Sequence, residues 1–145
     1  MRPPILHWTV HAIFIKKNKV LLLKRQNTWF EDWNRCLPAG KLESWEFFLD
    51  WIIREAYEEV GIRLDKSNLW EPIFVNMFRE KKNKNVISCY SFIKDWSGEP
   101  ENKEPNLCSE ISWFPIDNLP ENTVSYMKIF WDRIVLGEKY IEVLI

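Results

Sequence analysis

Residues 40–62 read GKLESWEFFLDWIIREAYEEVGI. From Trp45 to Val60 it contains neither glycine nor proline, which predicts a helix. Ser44 is suited to cap the N-terminus of this helix, and Glu46 falls in its first turn, where the helix dipole favours negative charge. Gly61 is suited to the left-handed position that ends many helices.

Three carboxylates share one face of the predicted helix. Glu55, Glu58 and Glu59 are spaced i, i+3, i+4 and fall within an arc of roughly 100°. Most of the remaining helix surface is apolar and therefore buried, where crowded like charges are unfavourable. A divalent cation such as Mg²⁺ offsets this repulsion and prefers carboxylate oxygens. Taken alone, the three residues favour the alternative, a solvated acidic face in which Arg54 pairs with Glu58.

β-Branched and aromatic segments predict strands on both sides of this helix. The predicted strands are His7–Ile15, Lys19–Leu23, Leu69–Met77, Val86–Ile93 and Ile111–Pro115, with an edge strand at Tyr140–Ile145. A second helix is predicted over Thr123–Leu136, capped by Asn122 or Thr123. This order predicts an α+β fold, with a mixed β-sheet between helices.

Two polar segments connect these elements. The charged run Arg79–Lys84 is predicted to be a solvated hairpin tip rather than a phosphate site. Trp96–Cys108 contains two prolines and a glycine and is predicted to be a long loop of the kind that often carries function.

Composition limits the classes of partner. With 20 basic and 21 acidic residues the net charge is −1, whereas proteins that bind polymeric nucleic acid usually carry a basic excess. No apolar run approaches the ~20 residues that span a membrane. Three scattered cysteines, Cys36, Cys89 and Cys108, indicate reduced thiols in the cytoplasm rather than a zinc site. We expect residues 1–145 to form one domain.

Residues 40–62 resemble the Nudix box, G-x5-E-x7-R-E-U-x-E-E-x-G-U, where U is usually a larger aliphatic residue. All seven fixed positions are filled, by Gly40, Glu46, Arg54, Glu55, Glu58, Glu59 and Gly61. Seven matches arise by chance in roughly one window in 10⁸ at average residue usage. The segments Trp96–Pro100 and Trp113–Pro115 are also similar to MutT-like members of the Nudix hydrolase superfamily.

The resemblance implies an α/β/α sandwich and a Mg²⁺-dependent hydrolase, with Mn²⁺ as a substitute. Water attacks a phosphorus atom of a nucleoside diphosphate linked to another group. For MutT-like members the substrate is a nucleoside triphosphate, and the products are a monophosphate and pyrophosphate. Hydrolysis of a nucleotide sugar or a dinucleoside polyphosphate, and a non-catalytic nucleotide sensor, remain alternatives. The expected partner is a small nucleotide, and the oligomeric state stays open.

The resemblance also assigns roles by position. The implied metal ligands are Glu55, Glu58, Glu59, Glu104 and the backbone carbonyl of Ala39. Glu46 and Arg54 are expected to support one another and to orient the helix. Glu58, Glu59 or Glu104 takes a proton from the attacking water, and Glu99 and Glu110 are rivals of Glu104 on the same segment.

Substrate contacts are implied less directly. Arg25 matches a substrate-contacting arginine, and Asn122 matches a base-recognising asparagine, with a helix cap as its alternative role. The candidates to stack on a base are Trp29, Phe30, Trp33 and Phe78, each with core or loop packing as the alternative. Trp45 and Trp51 replace small residues of the family pattern, so we expect them to reshape the pocket or the packing beneath it.

Overall fold

The computed structural model describes Pro3, residues 5–41 and residues 45–145. The strands are β1 Ile5–Ile13, β2 Ile15–Lys16, β3 Lys19–Arg25, β4 Arg35–Cys36, β5 Ala39–Lys41, β6 Ile73–Arg79, β7 Lys84–Phe92, β8 Cys108–Pro115 and β9 Tyr140–Leu144. The helices are α1 Phe48–Val60 and α2 Ser125–Val135, and short 3-10 turns occupy Lys66–Asn68 and Glu80–Lys82.

Five strands form a mixed sheet in the order β5–β1–β7–β6–β9. Strand β1 is parallel to β7 and β6 is parallel to β9, while the other neighbours are antiparallel. The sequence predicts one sheet, but β3 forms a second, antiparallel sheet with β2, β4 and β8. Strands β2 and β3 form an antiparallel hairpin, and Lys17 and Asn18 adopt the positive φ values that a tight hairpin turn requires.

One helix covers each face of the mixed sheet. Alternation along β6 directs Val75 and Met77 toward α2 and Phe74 toward α1, where the rings of Phe74 and Phe48 lie 5.7 Å apart. The predicted α+β fold, a mixed sheet between helices, is therefore confirmed. Trp51, on α1, is fully buried in the hydrophobic core. The replacement of a small residue of the family pattern by this tryptophan therefore affects core packing rather than the surface.

The first helix differs from its prediction at the N-terminus. It begins at Phe48 rather than Trp45, so Glu46 precedes the helix, and Asp50 is the acidic residue in its first turn. Ser44, the predicted cap, lies outside the described residues. The C-terminus is as predicted: Gly61 has a φ of 73°, and its N–H donates to the carbonyl of Tyr57 at 3.0 Å.

The second helix is capped by a residue distant in sequence. It begins at Ser125, and neither Asn122 nor Thr123 caps it, so that prediction is wrong. The Glu31 carboxylate, from the loop after β3, accepts hydrogen bonds from Ser125 N and Oγ at 2.9 and 2.8 Å. This negative charge at a helix N-terminus ties the loop to α2.

In the part of the chain that the structure describes, no helix is long and apolar enough to cross a membrane. The three cysteines are buried and unpaired, as the sequence predicts.

A buried histidine lies in the middle of the mixed sheet. His11, on β1, is only 4% exposed and stacks on Tyr90 with ring centroids 4.2 Å apart. Burial, assisted by the positive charge of Arg25, lowers the pKa of His11 from 6.5 to about 3. The ring therefore stays neutral in the folded protein at ordinary pH.

We expect Glu31→Ala to lower the free energy of unfolding by about 1 kcal/mol, the usual cost of losing a helix cap. Urea unfolding measures the change. Glu138→Ala is the control, because it removes an exposed carboxylate that only pairs with Arg133 at the other end of α2, and its effect should be smaller. Equal effects of the two substitutions would contradict the capping role.

We expect His11 to make stability depend on pH. The unfolded chain protonates this ring below about pH 6.5 but the folded protein does not until about pH 3, so stability is lost as pH falls between these values. His11→Gln should reduce proton uptake on unfolding in this range by about one proton, measured from the slope of unfolding free energy against pH. The partly exposed His7, whose pKa is also lowered by burial and by Lys84 and Lys41, provides the comparison, and its substitution should change the slope less. An identical slope in wild type and His11→Gln would refute the assignment.

Candidate active site

Two of the predicted glutamates pack against the strand that precedes α1. Glu55 is only 6% exposed, and a Cβ added at Gly40 would lie 2.0 Å from Glu55 Oε1. Only glycine leaves room for this carboxylate. Glu59 Oε2 accepts a hydrogen bond from the backbone N–H of Ala39 at 2.9 Å. The structure thus brings Glu55, Glu59 and Ala39 together where β5 meets α1, and the alternative of a fully solvated acidic face is wrong for Glu55.

Arg54 connects the acidic residues along α1. Its Nη2 lies 2.7 Å from Glu46 Oε1, and its Nη1 lies 3.1 Å from Glu55 Oε1 and 3.0 Å from Glu58 Oε2. The expected contact of Glu46 with Arg54 is present, and so is the pair of Arg54 with Glu58. The hydrogen bond to Glu46 contributes most to raising the pKa of Arg54, so this cation is permanent.

The electrostatics of Glu59 reflect its crowded surroundings. Burial, followed by repulsion from Glu55, raises the pKa of Glu59 well above 4.5, and Glu104 adds further repulsion. The Ala39 N–H and the Arg25 charge act in the opposite direction. In the described residues, no three Asp, Glu, His or Cys side chains are preassembled as a metal cage. The donor set of clustered carboxylates and a backbone carbonyl nevertheless fits a hard divalent cation, whose charge would relieve this repulsion.

The long loop before β8 is tied to the end of α1 through its backbone. The N–H groups of Glu101 and Lys103 donate to the carbonyls of Val60 and Glu59, each at 3.0 Å. These bonds satisfy two carbonyls that the helix end leaves without helical partners. They also bring Glu104 close enough to Glu59 to affect its pKa.

The rivals of Glu104 are held elsewhere. Glu99 pairs with Lys16 at 3.2 Å, and Glu110 pairs with Arg35. Among the three loop acids, the geometry favours Glu104 as the one beside the helix carboxylates.

A cavity of about 320 Å³ lies next to Ala39 and Gly40. Its lining residues come from β1, β3, β5, β6, β7, α2 and the loop after β3: Thr9, His11, Arg25, Thr28, Phe30, Ala39, Gly40, Lys41, Met77, Arg79, Lys84, Val86, Ser88 and Tyr126. Arg25, the arginine expected to contact the substrate, is one of these lining residues. Its Nε donates to the carbonyl of Phe30 at 2.8 Å, and its guanidinium lies 5.4 Å from the Phe30 ring centre.

Three of the predicted substrate contacts lie outside this cavity. The Asn122 amide donates to the Trp33 carbonyl at 3.0 Å and so holds the loop after β3. Trp29 is 100% exposed, because a positive φ turns this residue outward while its neighbour Phe30 lines the cavity. Phe78 points to the opposite face of β6 from Arg79. Of the four stacking candidates, only Phe30 faces the cavity.

Most residues of the cavity wall are not identifiable from the sequence. Thr9 and Ser88 face each other on β1 and β7, with their hydroxyl oxygens 2.7 Å apart. Arg79 and Lys84, the two ends of the charged run, also line the cavity, so the solvated-tip prediction holds only for the exposed residues 80–83. The period-two pattern of each strand could indicate one shared face, but the sequence does not show which strands are neighbours.

Comparison with known proteins identifies the family. The NUDIX domain model matches residues 5–133. An ADP-ribose pyrophosphatase from Methanocaldococcus jannaschii is 33% identical over 125 residues, which cover 85% of this chain and 70% of that protein.

Solved structures share the fold. The MutT protein from Methanosarcina mazei Go1 superposes with a TM-score of 0.76 at 23% identity, covering 94% of this chain and 96% of the other. The MutT NUDIX hydrolase from Burkholderia pseudomallei has a TM-score of 0.74 at 24% identity, covering 89% and 98%.

Nudix hydrolases generally use divalent metal ions and act on small nucleotide substrates. The domain match spans both the carboxylate cluster of α1 and the strands that line the cavity. The chain belongs to the Nudix family and is a Nudix pyrophosphohydrolase.

Proposed function

We propose that this chain hydrolyses the diphosphate linkage of a small nucleotide with Mg²⁺ as cofactor and Mn²⁺ as a substitute. The observation that carries the proposal is the packing of Glu55 and Glu59 against Ala39 and Gly40, beside a cavity that Arg25 lines. Anionic metal-binding groups and a cationic phosphate-binding group are thus adjacent.

The proposed metal ligands are Glu55, Glu58, Glu59, Glu104 and the carbonyl of Ala39. When bound there, the metal supplies charge neutralisation of the diphosphate and a more acidic water. One of Glu58, Glu59 and Glu104 accepts the proton of the attacking water. Arg25 contacts the phosphate oxygens, and Arg54 positions the helix carboxylates through its bonds to Glu46, Glu55 and Glu58.

Two substrate classes remain as proposals. The MutT-like flanking segments support a nucleoside triphosphate, cleaved to a monophosphate and pyrophosphate. The relative named an ADP-ribose pyrophosphatase supports a nucleoside diphosphate sugar as the second candidate. Assay of phosphate and pyrophosphate release over a nucleotide panel, with coupled detection of monophosphates, distinguishes the two.

We expect Glu58→Gln and Glu59→Gln each to reduce Mg²⁺-dependent hydrolysis by roughly 10²-fold or more, because each removes a proposed metal ligand or proton acceptor. Glu59→Gln keeps a side-chain oxygen that can accept the Ala39 N–H. The kcat/KM of each variant is compared with that of Glu142→Gln, which changes an exposed glutamate on β9. Near-normal turnover in both test variants would refute the assignment.

We expect Gly40→Ala to reduce hydrolysis by roughly 10²-fold, because the new methyl group must displace the Glu55 carboxylate. The measurement is kcat/KM, with circular dichroism to confirm that the protein is folded. Gly98→Ala is the control: its Cβ meets nothing within 4 Å, so this substitution should affect stability through its positive φ but leave activity intact. Unchanged activity in Gly40→Ala would show that the Glu55 position is not needed.

A further inference from the structure

The cavity contains more positive charge than contact with one diphosphate explains. Of its described lining residues, Arg25, Lys41, Arg79 and Lys84 are cationic and none is acidic. Arg25 lies near Glu59, as its effect on the Glu59 pKa shows. Lys41, Arg79 and Lys84, which we name the cation cluster, form a separate group on the three strands β5, β6 and β7.

The like charges of the cation cluster repel one another and therefore destabilise the protein unless an anion is bound. Arg79 and Lys84 are directly opposite each other on the antiparallel strands β6 and β7, an arrangement in which like charges are destabilising. Burial first, then the charges of Arg79 and Lys41, lower the pKa of Lys84. No carboxylate of the described residues lies within salt-bridge distance of these three cations.

Arg79 lies near an aromatic ring, but one of its buried nitrogen atoms lacks a hydrogen-bond partner in the described residues. The guanidinium of Arg79 lies 5.9 Å from the centre of the Phe30 ring, which Arg25 also contacts. The Nε of Arg79 is buried and has no hydrogen-bond partner in the described residues. An anionic group in the cavity would supply that partner and offset the like charges. A neutral base or sugar can accept that hydrogen bond but does not offset the like charges.

We propose that the cation cluster binds a second phosphoryl group of the substrate, remote from the diphosphate linkage that is cleaved. The preferred substrates are then nucleoside diphosphate derivatives with an additional phosphate elsewhere on the molecule. The cleavage step rests on the function proposed above, whereas binding of the second phosphate does not. Thr9, His11 and Ser88 form the uncharged polar wall next to the cluster.

Calorimetry without metal tests the binding step. In EDTA, adenosine 3′,5′-bisphosphate should bind at least about tenfold more tightly than adenosine 5′-monophosphate, the gain expected from a charge-assisted hydrogen bond. Arg79→Gln and Lys84→Gln should remove most of this preference. Lys81→Gln, an exposed cation of the same turn that does not line the cavity, should retain it. Equal affinity for the two ligands in wild type, or a retained preference in Arg79→Gln, would overturn the inference.

Inorganic phosphate alone is the third ligand. If it bound as tightly as the bisphosphate and depended equally on Arg79, the cluster would be a site for a free anion, which would also overturn the inference.

Hydrolysis with Mg²⁺ separates this inference from the proposed function. NADH and NADPH both contain a diphosphate linkage, and only NADPH carries a phosphate away from it. We expect a higher kcat/KM for NADPH than for NADH, with the ratio of the two values falling toward one in Arg79→Gln and staying high in Lys81→Gln. Cleavage of both at equal rates would contradict the second-phosphate site but leave the hydrolase. Failure to cleave any diphosphate of the nucleotide panel, with bisphosphate binding intact, would contradict the proposed function but support the cation cluster.

Discussion

The guanidinium of Arg54 contacts the carboxylates of Glu46, Glu55 and Glu58, and the acidic side of α1 depends on this one cation. Placing several negative charges on a helix that packs against a sheet is unfavourable unless they are paired. Arg54 offsets part of the charge, and the backbone N–H of Ala39 contributes a hydrogen bond to Glu59. The first contact orients the helix and the second joins it to β5. Together they determine where Ala39, Gly40 and the cavity lie relative to the carboxylates.

The carboxylate cluster and the cavity illustrate a compromise between stability and function. Burial and acidic neighbours raise the pKa of Glu59, and burial and basic neighbours lower the pKa of Lys84. Both shifts indicate that the charged form of each group is disfavoured in the folded protein. The two groups have opposite sign: Lys84 lines the cavity, and Glu59 contacts Ala39, which also lines it. The charged groups are thus already positioned in the folded protein, so less reorganisation is needed when a charged ligand binds.

The sequence predicts the framework of the fold and the acidic half of the site, because both depend on short-range spacing. The pattern of Gly40, Glu46, Arg54 and the three glutamates lies within 23 residues, and helix geometry converts it directly into a shared face. Gly61 was likewise identifiable as a helix end from local chemistry alone. In each case the residues that indicate the structure lie close together in the sequence.

The cavity wall could not be predicted in the same way. The six charged or polar residues from Arg79 to Lys84 predict a solvated turn, because such a run is typical of one. Only strand pairing shows that the two ends of the run face inward. The cap of α2 is similar, since Glu31 is 94 positions from Ser125. Trp29 was a reasonable stacking candidate by residue type, but backbone conformation exposes this residue and directs Phe30 inward. Long-range pairing and local backbone dihedral angles therefore account for most of the errors.

The attachment of the long loop to α1 has an evolutionary consequence. Its two donors are main-chain amides, those of Glu101 and Lys103, so the amino acids at these positions can diverge without loosening the attachment, provided neither becomes proline. A one-residue deletion between them would instead shift Glu104 relative to the helix. Related enzymes that keep this attachment should therefore vary freely in side chains here while the spacing from the second amide to the loop glutamate stays fixed.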